Sequence, residues 1–341
     1  MADRHPVDLE PIPGILVRVS GDRAASRHLA AEWGGVRGVD RTDGDDGDEA
    51  RACLEVAFVP QLPGARVHRH KSASWAAAMD EVDDGLGLRI ALHGLPRWFG
   101  LSLVQGYLVE PALSLLAPRV GGVLLPAAAV IRDGRAVILL GPSGTGKSSL
   151  CLRALAAGMA VLGDDQVLVT ATGVRRFPRR LRLYSDARRT APAAYRRLPA
   201  RYRAALRLRG AIRAATRGYV APSAAVPAEV LDARPPLASA SIATVAILER
   251  ARDPDRLRLA ASDLPTALRS AASVLAAQRR RLLATVGGGW EARVTETEKA
   301  ERGLLESVMA TAEIVSISVP EVPPQHSAQV LGELAAALGL P

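Results

Sequence analysis

The chain has 341 residues, 48% of them hydrophobic and 23% charged, but only 4% aromatic, so alanine and aliphatic side chains must fill its core. This is ordinary soluble-globular composition, enough for one large domain or two modest ones, with no internal repeat and no long low-complexity tail. A net charge of +9 and two well-separated cysteines, Cys53 and Cys151, exclude a disulfide framework and a zinc spacing, and point to a reduced, cytoplasmic protein.

Met1-Ala-Asp-Arg-His-Pro lacks the basic-then-apolar order of a signal peptide. Residues 1–115 are expected to form a small α/β or α+β portion, with strands at Gly14 to Val19 and at Arg51 to Val59. Between them Asp40 to Glu49 is acidic and glycine-containing. It lacks the closing glutamate of a calcium loop, so a solvated loop is the expectation. His68 and His70 would share one face of a strand, but with no further ligand in sight a surface strand or turn is expected. The most apolar region, Leu101 to Leu140, is broken by Gln105, Glu110, Pro111, Pro118, Arg119 and Pro126, so no run long enough to span a bilayer is expected there.

Val123 to Ile131, the turn Arg132-Asp133-Gly134, and Arg135 to Leu140 read as a β-hairpin. Its second strand delivers Gly141-Pro-Ser143-Gly144-Thr145-Gly146-Lys147-Ser148-Ser149, the pattern G-x-x-x-x-G-K-S, and a helix-favouring run follows to Ala157. Glycines let such a loop turn its N–H groups toward phosphate oxygens, and the helix N-terminus adds positive partial charge at the same point. Lys147 would reach the β- and γ-phosphates of a nucleotide triphosphate, and the Ser148 hydroxyl would ligate Mg²⁺. Only Lys71, Lys147 and Lys299 are lysines among 44 basic residues, which marks Lys147 as a position needing a compact charge.

Gly158 stands where a left-handed helix cap belongs. A short buried strand, Met159 to Gly163, ends in Asp164-Asp165, and another, Gln166 to Thr170, follows. Ligands of parallel α/β sheets bind beyond the carboxyl ends of strands, so the aspartate pair should face the phosphates. Arg175 to Arg217 carries fifteen arginines and one acid, Asp186. An acidic peptide, nucleotide phosphates, or solvent around arginine-rich helices would each account for it; the tyrosines interleaved with the arginines, Tyr195 and Tyr202 among them, are too few for nucleic-acid stacking. Ser241 to Glu249 reads as a buried strand, Leu264 to Leu283 and Glu291 to Met309 as helices, Glu313 to Val319 as a final strand, and Ser327 to Leu338 as a closing amphipathic helix.

Only sixteen residues separate Lys147 from Asp164, and neither a Leu-Ser-Gly-Gly signature nor an Asn-Lys-x-Asp motif is present. This compact order resembles the catalytic domain of HPr serine kinases and the wider HPr-kinase-like group, some of whose members phosphorylate a serine on ribosomally made peptides such as lasso peptides. The resemblance rests on Gly141 to Ser149, the preceding hairpin, Gly158, and Gly163-Asp164-Asp165. It extends more loosely through Arg179-Arg-Leu-Arg-Leu-Tyr-Ser-Asp186 and the strand at 242–249 to about residues 110–320. It implies an α/β P-loop kinase core, a mixed sheet with flanking helices, over 116–341, with an arginine-rich insertion at about 175–218. It also implies ATP and Mg²⁺ as cofactors and a peptide or small-protein partner, and allows a homo-oligomer; neither a membrane nor nucleic acid is expected. Gly141, Ser143, Gly144, Thr145, Gly146, Lys147, Ser148 and Ser149 would hold the nucleotide. Asp164 would take the proton of the attacking hydroxyl and Asp165 would join Ser148 at the metal. Asp186 is a candidate further metal-side acid or substrate contact, and Arg188 and Arg189 are candidate phosphate or substrate contacts. The chain departs from the family in having Pro126 where a histidine is usual, and no Glu-Ile-Arg-Gly-type motif, so the dephosphorylating half of the family's activity and the HPr protein as substrate are not carried over. A nucleotide-dependent regulatory module and a small-metabolite kinase stand as alternatives.

Overall fold

Alternating apolar residues bury Ile15, Val17 and Val19 on one face of a strand and Ala52, Leu54, Val56 and Phe58 on one face of the next. The computed structural model describes residues 6–33, 51–219, 222–231, 238–251, 257–321 and 326–340; the acidic stretch Asp40 to Glu49 lies outside them. The chain is a mixed α/β protein that divides into two compact units, Met1–Leu124 with Leu275–Leu304, and Leu125–Val274 with Leu305–Pro341. The sequence reading drew its boundary near residue 115, and its local patterns did not group 275–304 with the N-terminal part.

In the first unit, β1 (Val7–Ile12), β2 (Ile15–Ser20), α1 (Arg23–Trp33), β3 (Ala52–Phe58), β4 (His68–His70), β5 (Ala73–Val82) and β6 (Gly85–Gly94) precede a helical run. The six strands form one sheet in the order β1-β2-β3-β6-β5-β4, parallel at β2-β3 and β3-β6 and antiparallel elsewhere. His68 stacks against Trp75 and His70 meets Tyr107 edge-on, so both histidines pack on aromatic rings. Among the described residues no group of three or more His, Cys, Asp or Glu could hold a metal.

The helical run corrects the expectation of a broken apolar stretch. α2 (Arg97–Val104), one π turn (Gln105–Val109), α3 (Glu110–Leu116) and a 3₁₀ turn (Ala117–Val120) follow without interruption. Each proline falls in the first turn of a new register, where its missing N–H costs nothing. The resulting 24-residue run, Arg97–Val120, is long and apolar enough to cross a bilayer by length and composition, and most of it is buried in protein.

β7 (Gly122–Leu125) lies at the boundary between the units. The second unit then runs β8 (Ala128–Arg132), β9 (Arg135–Leu140), α4 (Lys147–Ala156), β10 (Val161–Gly163), β11 (Val167–Thr170), β12 (Gly173–Arg176), β13 (Leu181–Leu183), α5 (Ala187–Thr190), α6 (Pro192–Arg197), α7 (Ala200–Ala215), β14 (Ala224–Val226), β15 (Ser239–Ala240), β16 (Ile242–Arg250) and β17 (Arg258–Ala261). Two long helices follow, α8 (Leu264–Val286) and α9 (Glu291–Met309), and β18 (Glu313–Val319) and α10 (Ser327–Ala337) return to the second unit.

The main sheet of this unit has the order β10-β8-β9-β16-β18-β17. β9, β16 and β18 run parallel at its centre, and β8, β10 and β17 are antiparallel to their neighbours. Central strands β9 and β16 are near-continuous apolar runs, as burial on both faces requires. One side packs Val137, Leu139, Leu248 and Ile317 against Leu150 and Ala154 of α4 and Leu331 and Leu334 of α10. The first strand of the expected hairpin is shorter than read: Pro126 ends β7, and the hairpin proper is β8 with β9. The expected strand over Met159 to Gly163 is likewise only Val161–Gly163, with Leu162 its buried residue.

Candidate active site

β9 ends at Leu140, and the chain reverses through a loop that only glycine can trace. Gly141, Gly144 and Gly146 have φ of 148°, 86° and 95°. A Cβ at Gly141 would lie 2.3 Å from the Leu248 carbonyl oxygen, and one at Gly146 would lie 2.6 Å from Leu331 Cδ2. The glycines therefore answer both to backbone conformation and to the close approach of β16 and α10. Gly146 is the N-cap of α4, so the first-turn N–H groups of that helix point back into the loop, where an anion would be held.

Three side chains brace the loop. The Lys147 ammonium donates to the carbonyls of Gly141 and Pro142 at 2.6 and 2.8 Å. The buried Thr145 hydroxyl donates to the Pro142 carbonyl at 3.0 Å. Arg250, the last residue of β16, donates from Nη2 to the Ser143 carbonyl at 2.9 Å and pairs with Glu321 at 3.4 Å. A Cβ at Gly144 would sit 2.3 Å from that guanidinium nitrogen. Because β16 runs parallel beside β9, their carboxyl ends open at the same edge of the sheet, which puts Arg250 on the loop. The sequence reading ended its strand at Glu249 and overlooked Arg250; a basic residue closing a buried strand was the available signal.

β10 stops at Gly163, and Asp164 and Asp165 form a bend rather than continuing the strand. A Cβ at Gly163 would meet the Gln166 carbonyl at 2.2 Å, so glycine permits the bend. Once the strand has ended, neighbouring carboxylates no longer alternate between faces. They do differ in environment. Asp164 is buried, at 4% exposure, and its Oδ2 accepts the Arg182 N–H at 3.0 Å. Desolvation, and next the Asp165 charge, raise its pKa from 3.8 to about 6, against the opposing Arg182 N–H and the charges of Arg179 and Arg182. Asp165 is half exposed and ion-paired with Arg179 at 2.5 Å.

Lys147, Asp164 and Asp165 share one electrostatic neighbourhood. Burial lowers the Lys147 pKa, and Asp165, Cys151 and Asp164 partly restore it. Cys151, fully buried on α4, has its thiol pushed well up by desolvation and by Asp164. Burial also raises the Tyr184 phenol, with the Asp165 and Asp164 charges adding to it. Part of the arginine-rich stretch thus serves the carboxylates directly, through Arg179 and Arg182.

The remaining expected residues lie around this centre. Ser148 and Ser149 open α4, and the Ser149 hydroxyl donates to Thr190 Oγ1 at 3.3 Å, tying α5 to the loop helix. Asp186 precedes α5 and its carboxylate faces Arg213 at 4.0 Å. Arg188 and Arg189 are exposed on α5. Gly141 to Ser149 and the aspartate pair are therefore brought together, whereas the carboxylate of Asp186 is engaged by α7. No protein-family model matches this chain, and no curated protein matches it.

Proposed function

We propose that the second unit is an ATP- and Mg²⁺-dependent kinase of the HPr-kinase-like type, acting on a hydroxyl, serine first, of a peptide or small protein in the cytoplasm. One observation carries this reading: a glycine loop braced by Lys147 shares its electrostatic neighbourhood with a buried carboxylate whose pKa is raised to about 6. A general base tuned toward neutrality and a cation at a phosphate loop are the protein groups phosphoryl transfer asks for.

In the proposed step the α4 N-terminus and Lys147 hold the β- and γ-phosphates. Asp164, ionised, accepts the proton of the acceptor hydroxyl. The acceptor oxygen forms its bond to the γ-phosphorus as the bond to the β,γ-bridging oxygen breaks, and ADP leaves carrying that electron pair. The Ser148 hydroxyl and the exposed Asp165 carboxylate are hard oxygen donors suited to Mg²⁺, which takes few protein ligands beside phosphate oxygens. When bound, the metal neutralises charge on those phosphates. Arg179 would orient Asp165, and Arg250 would set the loop carbonyl at Ser143.

Mass spectrometry tests this after incubation with ATP, Mg²⁺ and a panel of HPr, serine-terminated and acidic peptides, and free amino acids. The expected result is a mass gain of one phosphoryl group on a peptide or small protein, absent with Lys147→Ala and with Asp164→Asn. A gain on a free metabolite alone identifies a small-molecule kinase. No gain on any acceptor, with ATP still bound, identifies a nucleotide-dependent regulatory module.

A further inference from the structure

Helix α7 is built the wrong way round for a helix that serves only its own core. Its buried side chain is Leu206, while Leu208 and Ile212 are 64% and 37% exposed. Ala204, Ala211 and Ala215 are exposed as well. At 3.6 residues per turn these five positions fall within an arc of about 100°, a continuous apolar stripe. It lies opposite the face by which α7 is seated, where a Cβ at Gly210 would come 3.2 Å from Ser185 Cβ and Arg213 meets Asp186. The helix carries five arginines and no acid. On the helical wheel Arg207, with Arg203 beyond it, flanks one side of the stripe, Arg209 lies past the other, and Arg201 falls within the arc at the N-terminal end of the helix.

We infer that α7 is a docking surface for an acidic amphipathic helix of a partner peptide, whose apolar residues cover Leu208 and Ile212 while its carboxylates meet the flanking arginines. Charge complementarity selects this occupant. A second copy presenting the same helix would bring arginine against arginine. A bilayer-resting helix relies on bulky Trp, Phe and Leu, whereas this stripe is mostly alanine, whose small side chains let another backbone approach closely. The seat of α7 on Ser185 and Asp186 is next in the chain to Tyr184, which feels the charges of Asp165 and Asp164, and the stripe faces away from that seat, so the width of α7 separates a peptide held on the stripe from Ser185 and Asp186. That the bound peptide is the phosphate acceptor rests on the kinase reading; the docking itself does not.

The test is fluorescence anisotropy with the full chain and two labelled peptides of equal Leu/Glu composition and of the length of α7. In one the leucines form a helical stripe; in the other the order is scrambled to break it. Anionic phosphatidylglycerol vesicles are a third probe. The striped peptide is expected to bind wild type and Lys147→Ala alike, more weakly as salt rises. Leu208→Ser/Ile212→Ser should bind it roughly tenfold or more weakly, at an unchanged melting temperature. Equal binding of both peptides, or equal binding by the double variant, overturns the proposal. So does binding to vesicles without binding to the peptide, or a concentration-dependent dimer that the double variant abolishes. Intact docking with no phosphoryl transfer to any acceptor would instead overturn the kinase reading and leave the docking surface standing.

Discussion

Asp164 combines two demands that pull against each other. A carboxyl held at about 6 by burial and by Asp165 is a better base near neutrality than an ordinary aspartate, but ionising it in that position opposes folding. Below pH 3.8 the group is protonated both folded and unfolded and costs nothing. Between 3.8 and about 6 the folded form keeps a proton that the unfolded form has lost, so stability falls as pH rises, and above about 6 the whole penalty is present. The two-unit shift corresponds to roughly 3 kcal/mol. Asp164→Asn removes the charge and keeps an oxygen for the Arg182 N–H. It should therefore abolish transfer while raising stability at pH 7.5, and the gap to wild type should close below about pH 4; chemical denaturation across that range measures it. A variant no more stable than wild type at neutral pH would mean that Asp164 is not held as a strained base. Transfer by the wild type should climb as pH passes about 6 and flatten above it, as ionisation of the base requires.

Helix α4 is fastened at both ends by glycines in left-handed conformation, but for different reasons. At its C-terminus Gly158 donates to the Leu155 carbonyl and Met159 to the Ala154 carbonyl, at 3.1 and 2.9 Å, the paired bonds of a Schellman cap. No atom stands within 4 Å of a Cβ at Gly158, so only its φ of 85° resists a side chain. Gly158→Ala should cost about 1 kcal/mol of unfolding free energy, and Gly158→Asn less, since asparagine tolerates the left-handed region. At the N-terminus the loop depends on β16 through Arg250. Arg250→Ala frees the Ser143 carbonyl and should weaken ATP binding roughly tenfold by titration calorimetry, with the fold retained; unchanged affinity would show that the loop holds its shape alone. The difference between these ends is also the difference in what the sequence discloses. The Gly158 cap, the hairpin turn, the loop pattern and the Glu291–Met309 and Glu313–Val319 elements follow from local spacing, and they stand in the structure where local rules put them. Arg250 on Ser143, Leu331 under Gly146 and Arg182 on Asp164 join residues tens to hundreds of positions apart, and no local period encodes such contacts. The continuous helix through Pro111 and Pro118 escaped for another reason: a π turn before Pro111 and a change to a 3₁₀ turn at Pro118 put each proline at the start of a new segment, a permitted position.

The assignment of Leu275–Leu304 to the first unit is the clearest case of organisation beyond local pattern. Arg279 and Glu301, 1% and 2% exposed, form an ion pair on facing helices, with a bond from Arg279 Nη1 to Glu301 Oε2 of 3.0 Å and another from Nη2 to Oε1. Arg279 Nε also donates to the Ser114 hydroxyl at 3.1 Å, and that hydroxyl donates to the Pro111 carbonyl at 2.7 Å. The pair therefore links α8 and α9 to α3 within the unit. Burial raises the Glu301 pKa and Arg279 opposes the rise, so the cost of desolvating the carboxylate is felt even in the presence of its partner. Such pairs contribute little net stability over apolar replacements but are costly to half-break, because the surviving charge stays buried. Glu301→Ala should lower unfolding free energy by about 3–5 kcal/mol, measured by chemical denaturation. The paired replacement Arg279→Met/Glu301→Leu, of similar volume, should recover most of that loss, leaving only the bond to Ser114 unmade. If the double variant is as unstable as the single one, the arginine works chiefly through Ser114 and α3; if neither variant is destabilised, the pair does not hold 275–304 to the first unit.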